Sequence, residues 1–144
     1  MVKQMLLLLF NIYAVACFTQ PEIGQSIEKY KRIYSDSSIY LLTSANQLEK
    51  ALLIEVDSIK YSVTLNENMT IKYISTSDEN FETKEHLRVG YKYFQINPGK
   101  IVSKTYDSKG WGKFLKLQSG WYAVFGFEQP INSNSSIQFF FKKE

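Results

Sequence analysis

The residue with the most specific chemistry is Cys17, the only cysteine of the chain, which follows the small residues Ala14 and Ala16. Lys3 and a hydrophobic run precede these residues, so residues 1–16 have the layout of a secretory signal peptide. If the signal is cut before Cys17, the thiol stands at the first position of the mature chain, where it can be lipid-modified. We therefore expect an exported protein with Cys17 as its lipidation site.

The length of the hydrophobic run distinguishes a signal peptide from a membrane-spanning helix. Residues 5–18 contain 14 positions, interrupted by Asn11, whereas a helix needs about 20 apolar residues to cross a bilayer. Around Cys17 the sequence resembles a bacterial lipoprotein signal, although Ala14 stands where such signals normally carry leucine. Ordinary cleavage, which gives a freely secreted protein, is therefore the alternative to a lipid anchor.

Aromatic residues are the next candidates for contact with a ligand. Trp111 lies between two glycines and two lysines in residues 109–113, shortly after Tyr106. A large amphipathic indole on a loop suits stacking on a sugar ring or insertion into a lipid interface. The alternative is that Trp111 covers one end of the domain. If their strand faces are exposed, Tyr122 and Phe140 form a second apolar patch for a partner.

The titratable residues give little support for catalysis. His86 is the only histidine, and the chain has no G-x-S-x-G motif to supply a nucleophile for it. A zinc site needs several histidine or cysteine ligands. The acidic residues Asp78, Glu79, Glu82 and Glu85 lack the central glycine of a calcium loop. We expect no enzyme activity, no metal and no cofactor.

Charge and length limit the class of protein further. Removal of residues 1–16 leaves a net charge of +2, with scattered rather than clustered basic residues, which argues against nucleic-acid binding. The remaining chain has the length of one domain. With a single cysteine, intrachain disulfides are excluded.

The hydrophobic pattern predicts an all-β domain, an antiparallel β-sandwich of about eight short strands, over residues 38–144. Residues 59–65 alternate apolar and polar side chains, and together with residues 69–74 they predict a hairpin. Residues 75–85 lose the apolar period and are expected to be a solvated loop. Residues 17–37 are interpreted as a tether with a short helix, because apolar residues recur there at helical spacing.

Two shorter segments carry turn signals. Pro98 and Gly99 fit the central positions of a type II turn, which would join two strands within residues 91–102. Residues 44–47 have the form of a capping box, so residues 45–51 are either one or two helical turns or a loop. Trp121, Phe125 and Phe127 alternate along one strand and are expected in the core.

Residues 38–127 contain an Ile-x-Val-Asp strand end, a Pro-Gly-Lys turn and a Leu-x-Leu-x-x-Gly-x-Tyr-x-Val segment: Ile54, Val56, Asp57, Pro98, Gly99, Lys100, Leu115, Leu117, Gly120, Tyr122 and Val124. With these segments the chain resembles small β-sandwich domains of bacterial envelope lipoproteins, of the PEGA and carboxypeptidase-regulatory-like kind. The resemblance implies a non-catalytic envelope module.

Two classes of function stay open. The first is an exported binding or structural module of the cell envelope, attached to the membrane by a lipid on Cys17 and contacting a protein or glycan partner. The second is a eukaryotic secreted glycoprotein that acts as a ligand-binding or inhibitory domain. In the second class Asn68 and Asn134, each in an N-x-S/T sequence within a predicted turn, are glycosylation sites.

Overall fold

A computed structural model describes residues 20–34, 39–108, 112–126 and 130–144, with the backbone only for residues 104–108. The signal segment with Cys17, and also Trp111 and Phe127, lie outside the described residues. The all-β fold is confirmed: an eight-stranded antiparallel sheet has the order β1-β4-β5-β6-β10-β9-β8-β7, and β2 and β3 form a separate hairpin. The strands are β1 Ile33–Tyr34, β2 Tyr40–Ser44, β3 Gln47–Lys50, β4 Leu52–Val56, β5 Ile59–Leu65, β6 Ile71–Thr76, β7 Ile101–Ser108, β8 Gly112–Leu117, β9 Tyr122–Val124 and β10 Phe139–Lys143.

The predicted hairpin is formed by β5 and β6, and it contains a bulge. The register shifts between Thr64 and Leu65, which leaves β6 with one extra residue, Lys72. A bulge of this kind changes which face a side chain occupies. As a result Ile71 and Ile74, three positions apart, are both fully buried in the same core.

One core lies on the inner face of the sheet and is shared by both halves of the sheet. Its strand residues include Ile54, Tyr61 and Val63 from β4 and β5, and Leu115 and Leu117 from β8. Because strands from opposite ends of the sheet bury side chains in one cluster, the sheet curves around that cluster. This arrangement agrees with a sandwich rather than a flat layer.

The prediction of a solvated loop at residues 75–85 is wrong. Phe81 is fully buried and contacts three aromatic rings of the core, with centroid distances of 5.9 Å to Tyr61, 4.8 Å to Trp121 and 5.3 Å to Phe140. Phe81 is a single apolar residue within a polar segment, so the sequence shows no hydrophobic period there. Burial of its phenyl ring nevertheless stabilises the fold, which favours an inward orientation of the side chain. The segment therefore fills the core rather than lying over it.

The predicted N-terminal helix is reduced to a single 3-10 turn, Ile27–Lys29. Ser26 caps this turn through its hydroxyl, which accepts a hydrogen bond of 3.3 Å from the amide of Glu28. The backbone amide of Ile27 donates to the carbonyl of Met69, which ties the segment to the β5–β6 turn. Ile27 is buried, so the packed domain includes part of the segment that the sequence assigned to the tether.

The type II turn predicted at Pro98 and Gly99 is also wrong, because Pro98–Lys100 is a 3-10 turn and a second one, Tyr93–Gln95, precedes it. The side chain of Asn97 accepts a hydrogen bond of 2.9 Å from the amide of Gly99. This contact stabilises a turn in which Gly99 does not take the positive φ angle of a type II turn. The strand begins only after the turn, at β7.

Both alternatives for residues 45–51, helical turns and a loop, are wrong, because residues 47–50 form strand β3 and only residues 45 and 46 are a turn. Leu42 pairs with Leu48 and Ser44 pairs with Gln47, so residues 44–47 close the β2–β3 hairpin. Cross-strand pairing of apolar residues outweighs the local capping preference.

Candidate functional site

A cross-strand row of side chains runs across the outer face of the sheet, and its centre consists of two small residues. Direct pairing connects Ser62 on β5 with Ser75 on β6, and Ser75 in turn with Phe141 on β10. Large side chains occupy the positions on both sides of the two serines. In spatial order the row is Tyr34, Leu53, Ser62, Ser75, Phe141, Tyr122 and Lys116.

A groove of about 620 Å³ lies over the two serines. Ser62 and Ser75 form its floor, since their side chains are too short to fill the space between Leu53 and Phe141. Strand β2 covers the groove from above through Leu41 and Leu42. Further apolar walls are formed by Tyr73 and Phe139, and polar groups are contributed by Lys60, Thr76, Ser77, Asp78 and Gln138.

The covering hairpin is attached to the sheet by an apolar contact and by an ion pair. Leu41 packs on a small cluster on the outer face that includes Tyr73 and Phe141. The ammonium group of Lys72, on the bulge of β6, lies 2.9 Å from the carboxylate of Glu49 on β3. These contacts hold β2 above the floor of the groove.

Charged groups define one end of the groove. The carboxylate of Asp78 accepts hydrogen bonds from the amide of Lys60 at 3.1 Å and from the amide of Asn80 at 3.0 Å. Burial by itself would raise the pKa of Asp78, but these hydrogen bonds and the nearby Lys60 ammonium group hold the pKa below its usual value. This end of the groove therefore has a fixed negative charge next to a positive one.

The wall of the groove that Tyr73 forms is electrically neutral. Burial raises the pKa of the Tyr73 phenol, and a hydrogen bond with Ser75 only partly offsets this effect. Tyr73 is 4% exposed, and its ring stacks on Phe141 at a centroid distance of 5.8 Å. The wall thus presents a rigid aromatic ring whose hydroxyl stays protonated.

Tyr122, one of the residues singled out in the sequence, has a packing role. Its ring stacks on Phe141 at 4.6 Å with an interplanar angle of 5°, and Phe114 contacts it edge-on at 5.6 Å. The ammonium group of Lys116, the cross-strand partner on the side opposite Phe141, lies 5.6 Å from the ring centroid. Both faces of the Tyr122 ring are therefore covered by neighbours.

The predicted patch of Tyr122 and Phe140 does not form. Phe140 is fully buried in the inner core, whereas Tyr122 lies on the outer face. The reason is the register: Phe141 pairs with Tyr122, so Phe140, the preceding residue, points to the opposite side of the sheet. Phe140 is a core residue.

Tyr106 lies on a strand, and the two candidate glycosylation asparagines lie in turns. Tyr106 pairs with Phe114 through the backbone in β7, and Trp111 lies outside the described residues. Asn68 and Asn134 are both exposed, each in a turn, so both N-x-S/T sequences are accessible.

The only histidine of the chain belongs to an exposed ionic cluster. Glu82 accepts hydrogen bonds of 2.6 Å from His86 and 2.6 Å from Arg88, and these two contacts lower the pKa of Glu82. No group of three or more potential metal ligands occurs among residues 20–34, 39–108, 112–126 and 130–144. The cluster connects two parts of the loop that carries Phe81 and offers no nucleophile.

The sequence pattern alone does not identify Ser62 and Ser75 as residues of a groove. The one signal in the sequence is a small polar residue at an outward position of a strand. This signal becomes meaningful only when the register shows that its cross-strand neighbours are large.

Among residues 20–34, 39–108, 112–126 and 130–144, no helix has the length and hydrophobicity that are needed to cross a bilayer. The chain matches no family model, no curated protein and no solved structure.

Proposed function

We propose that this protein is an exported, non-catalytic binding module whose ligand occupies the groove between β2 and the outer face of the sheet. The observation that carries the proposal is the pair of serines at the centre of a row of large side chains. Residues such as leucine or valine at these two positions would fill the space and stabilise the sheet. Small residues at this place keep a binding volume open.

The composition of the groove indicates the kind of ligand. Binding pockets for small molecules usually have volumes of about 300–1,000 Å³, with apolar walls and a few polar groups that fix orientation. The groove has this character, with Leu53 and Phe139 as walls and Lys60 and Asp78 at one end. A ligand with an apolar body and a polar end group, either a small amphiphile or a segment of a partner, fits this arrangement.

Export and a lipid anchor complete the proposal. The signal-like segment before Cys17 and the resemblance to envelope lipoprotein domains support a location in the cell envelope. A lipid-modified Cys17 would hold the domain at a membrane without a spanning helix. The small net charge of the mature chain supports a partner other than nucleic acid.

A secreted eukaryotic glycoprotein is the second candidate. It is favoured by the exposure of Asn68 and Asn134 in turns, which gives a glycosylating enzyme access to both. The intact mass of the natively produced protein separates the two candidates. Acyl additions at Cys17 support the envelope lipoprotein, and glycan additions support the secreted glycoprotein.

The test of the binding site compares what co-purifies with three proteins from the native source. Ser62→Leu fills the floor of the groove, and Ser133→Leu places the same side chain on an exposed turn as a control. We expect one small molecule or peptide to be enriched with the wild type and with Ser133→Leu, and to be absent from Ser62→Leu. Equal enrichment with all three proteins would rule out the groove as the binding site.

A further inference from the structure

Gln20, the first residue that the structure describes, is held by two side-chain hydrogen bonds. Its side-chain amide donates a hydrogen bond of 2.9 Å to the carbonyl of Glu82 and accepts one of 3.3 Å from the indole of Trp121. Cys17 lies three residues before Gln20, a distance that a chain spans with at most about 11 Å. A lipid on Cys17 would therefore hold the surface around Gln20 close to the membrane.

That surface contains a depression of about 800 Å³ with basic side chains along it. Gln20 lines the depression together with Lys29, Lys31 and Arg32. In the described part of the chain neither Lys29 nor Lys31 forms an ion pair. Both lysines are exposed to solvent on the same surface as Gln20.

The acidic residues of the depression only partly balance this charge. Glu55 is already engaged, because its carboxylate lies 2.5 Å from the Arg32 guanidinium group and accepts a hydrogen bond of 3.3 Å from the Tyr34 hydroxyl. Asp57 is the other carboxylate that lines the depression. After the Arg32–Glu55 pair is set aside, two lysines face one aspartate, and the local charge is positive.

The two lysines are held in place by the residue between them. The ring of Tyr30 packs against the inner core, and its hydroxyl donates a hydrogen bond to the side chain of Gln25. Since Tyr30 is directed toward the protein, its neighbours Lys29 and Lys31 are presented outward on a fixed backbone. The cations are thus part of the folded surface.

We propose that this depression is a docking surface for the anionic phospholipid headgroups of the membrane that carries the Cys17 anchor. The inference rests on the lipid anchor of the proposed function. Basic side chains next to a lipid anchor are attracted to anionic lipid, and an acyl anchor combined with a basic patch holds a protein more firmly than either alone. Lys29 and Lys31 supply the charge, and the short distance from Cys17 to Gln20 supplies the orientation.

The test measures how lipid protects individual lysines from an amine-reactive acetylating reagent. The natively produced protein is reconstituted in vesicles of phosphatidylcholine, with or without phosphatidylglycerol, and acetylation of each lysine is read by mass spectrometry. We expect Lys29 and Lys31 to react several-fold less when phosphatidylglycerol is present. The exposed Lys50 and Lys92, which do not line the depression, should react equally in both.

A third sample, phosphatidylcholine vesicles with added inorganic phosphate, distinguishes lipid from a soluble anion. Protection by phosphate alone would overturn the lipid proposal in favour of a soluble anion, and equal acetylation in all samples would overturn it outright. Flotation on phosphatidylcholine vesicles reports the anchor separately. A protein that fails to float there lacks the lipid, which is a failure of the proposed function.

For a protein without the lipid, flotation on phosphatidylglycerol vesicles tests the docking surface by itself. At low ionic strength, where charges are weakly screened, we expect the wild type and the control pair Lys50→Gln with Lys92→Gln to bind these vesicles. The pair Lys29→Gln with Lys31→Gln should lose most of this binding. Equal binding by both double variants would contradict the proposal.

Discussion

Ser62 and Ser75 are direct cross-strand partners on β5 and β6, at the centre of the outer face of the sheet. On either side of them the row continues with Leu53 and with Phe141. A continuous row of large side chains is the arrangement that stabilises a sheet. The two serines interrupt it at the place where the groove lies, which is the pattern expected when function is favoured over stability.

Filling the groove should therefore make the protein more stable. For Ser62→Leu we expect the free energy of unfolding, measured by urea denaturation, to rise by about 0.5–1 kcal/mol through new contacts with Leu53 and across the groove. Ser133→Leu, on an exposed turn, should leave it unchanged within about 0.5 kcal/mol. A loss of stability in Ser62→Leu alone would indicate that no space is open above the serine.

Phe81 should be among the most important residues for stability, although it lies in a loop. Phe81→Ala removes a ring that contacts Tyr61, Trp121 and Phe140, and we expect a loss of about 3–5 kcal/mol in the free energy of unfolding. Phe94 provides the matched control, because it is 65% exposed. Phe94→Ala should change stability by no more than about 0.5 kcal/mol, and a similar small change for Phe81→Ala would contradict the packing.

The buried carboxylate of Glu85 should make stability depend on pH. Burial alone would raise the pKa of Glu85, but hydrogen bonds of 2.6 Å from the amide of Ser119 and 2.8 Å from its hydroxyl lower the pKa below the usual value. A lowered pKa in the folded state stabilises the fold above the unfolded-state pKa of about 4.3. This stabilisation is lost as pH falls through the folded-state pKa.

We therefore expect the wild type to be more stable than Glu85→Gln at neutral pH and the difference to shrink as the pH is lowered below about 4. Urea denaturation at a series of pH values measures it. The exposed Glu79 gives the control, since Glu79→Gln should show no such pH-dependent difference. A difference between wild type and Glu85→Gln that does not change with pH would show that the carboxylate is not the source of the stabilisation.

Replacement of Cys17 tests the anchor. Lipid attachment requires the cysteine sulfur, so the wild type expressed in a bacterium should incorporate labelled fatty acid and fractionate with membranes. Cys17→Ser should incorporate no label. Wild-type protein that is soluble and unlabelled would reject the lipoprotein interpretation, while export by ordinary signal cleavage would stay open.

The sequence predicted elements whose signal is local and periodic. The β5–β6 hairpin is predicted because the alternating residues and the polar turn lie close together in the sequence, within residues 59–74. The inward position of Phe81 was not predictable, because it depends on Tyr61 and Trp121, which approach it only in the folded chain. The type II turn predicted from Pro98 and Gly99 is wrong for a related reason. The side chain of Asn97, the residue before Pro98, accepts a hydrogen bond from the amide of Gly99 and stabilises a 3-10 turn instead.

The candidate site was largely outside the reach of sequence analysis. The groove joins Leu41 on β2, Ser62 on β5 and Phe139 on β10. The sheet order places β5 and β10 on either side of β6, and tertiary packing of the separate β2–β3 hairpin places β2 over them. A common surface for Tyr122 and Phe140 depends on exposed strand faces, and the sequence does not show how β9 and β10 pair. A register with Phe141 opposite Tyr122 places Phe140 in the core.

Titration with an apolar fluorescent probe, N-phenyl-1-naphthylamine, tests the role of the groove most directly. We expect one saturable binding site in the wild type, an unchanged site in Ser133→Leu and no site in Ser62→Leu, with all three proteins folded by circular dichroism. Saturable binding of the same strength in folded Ser62→Leu would show that the groove is not the binding site, because the probe would then bind somewhere other than above Ser62 and Ser75.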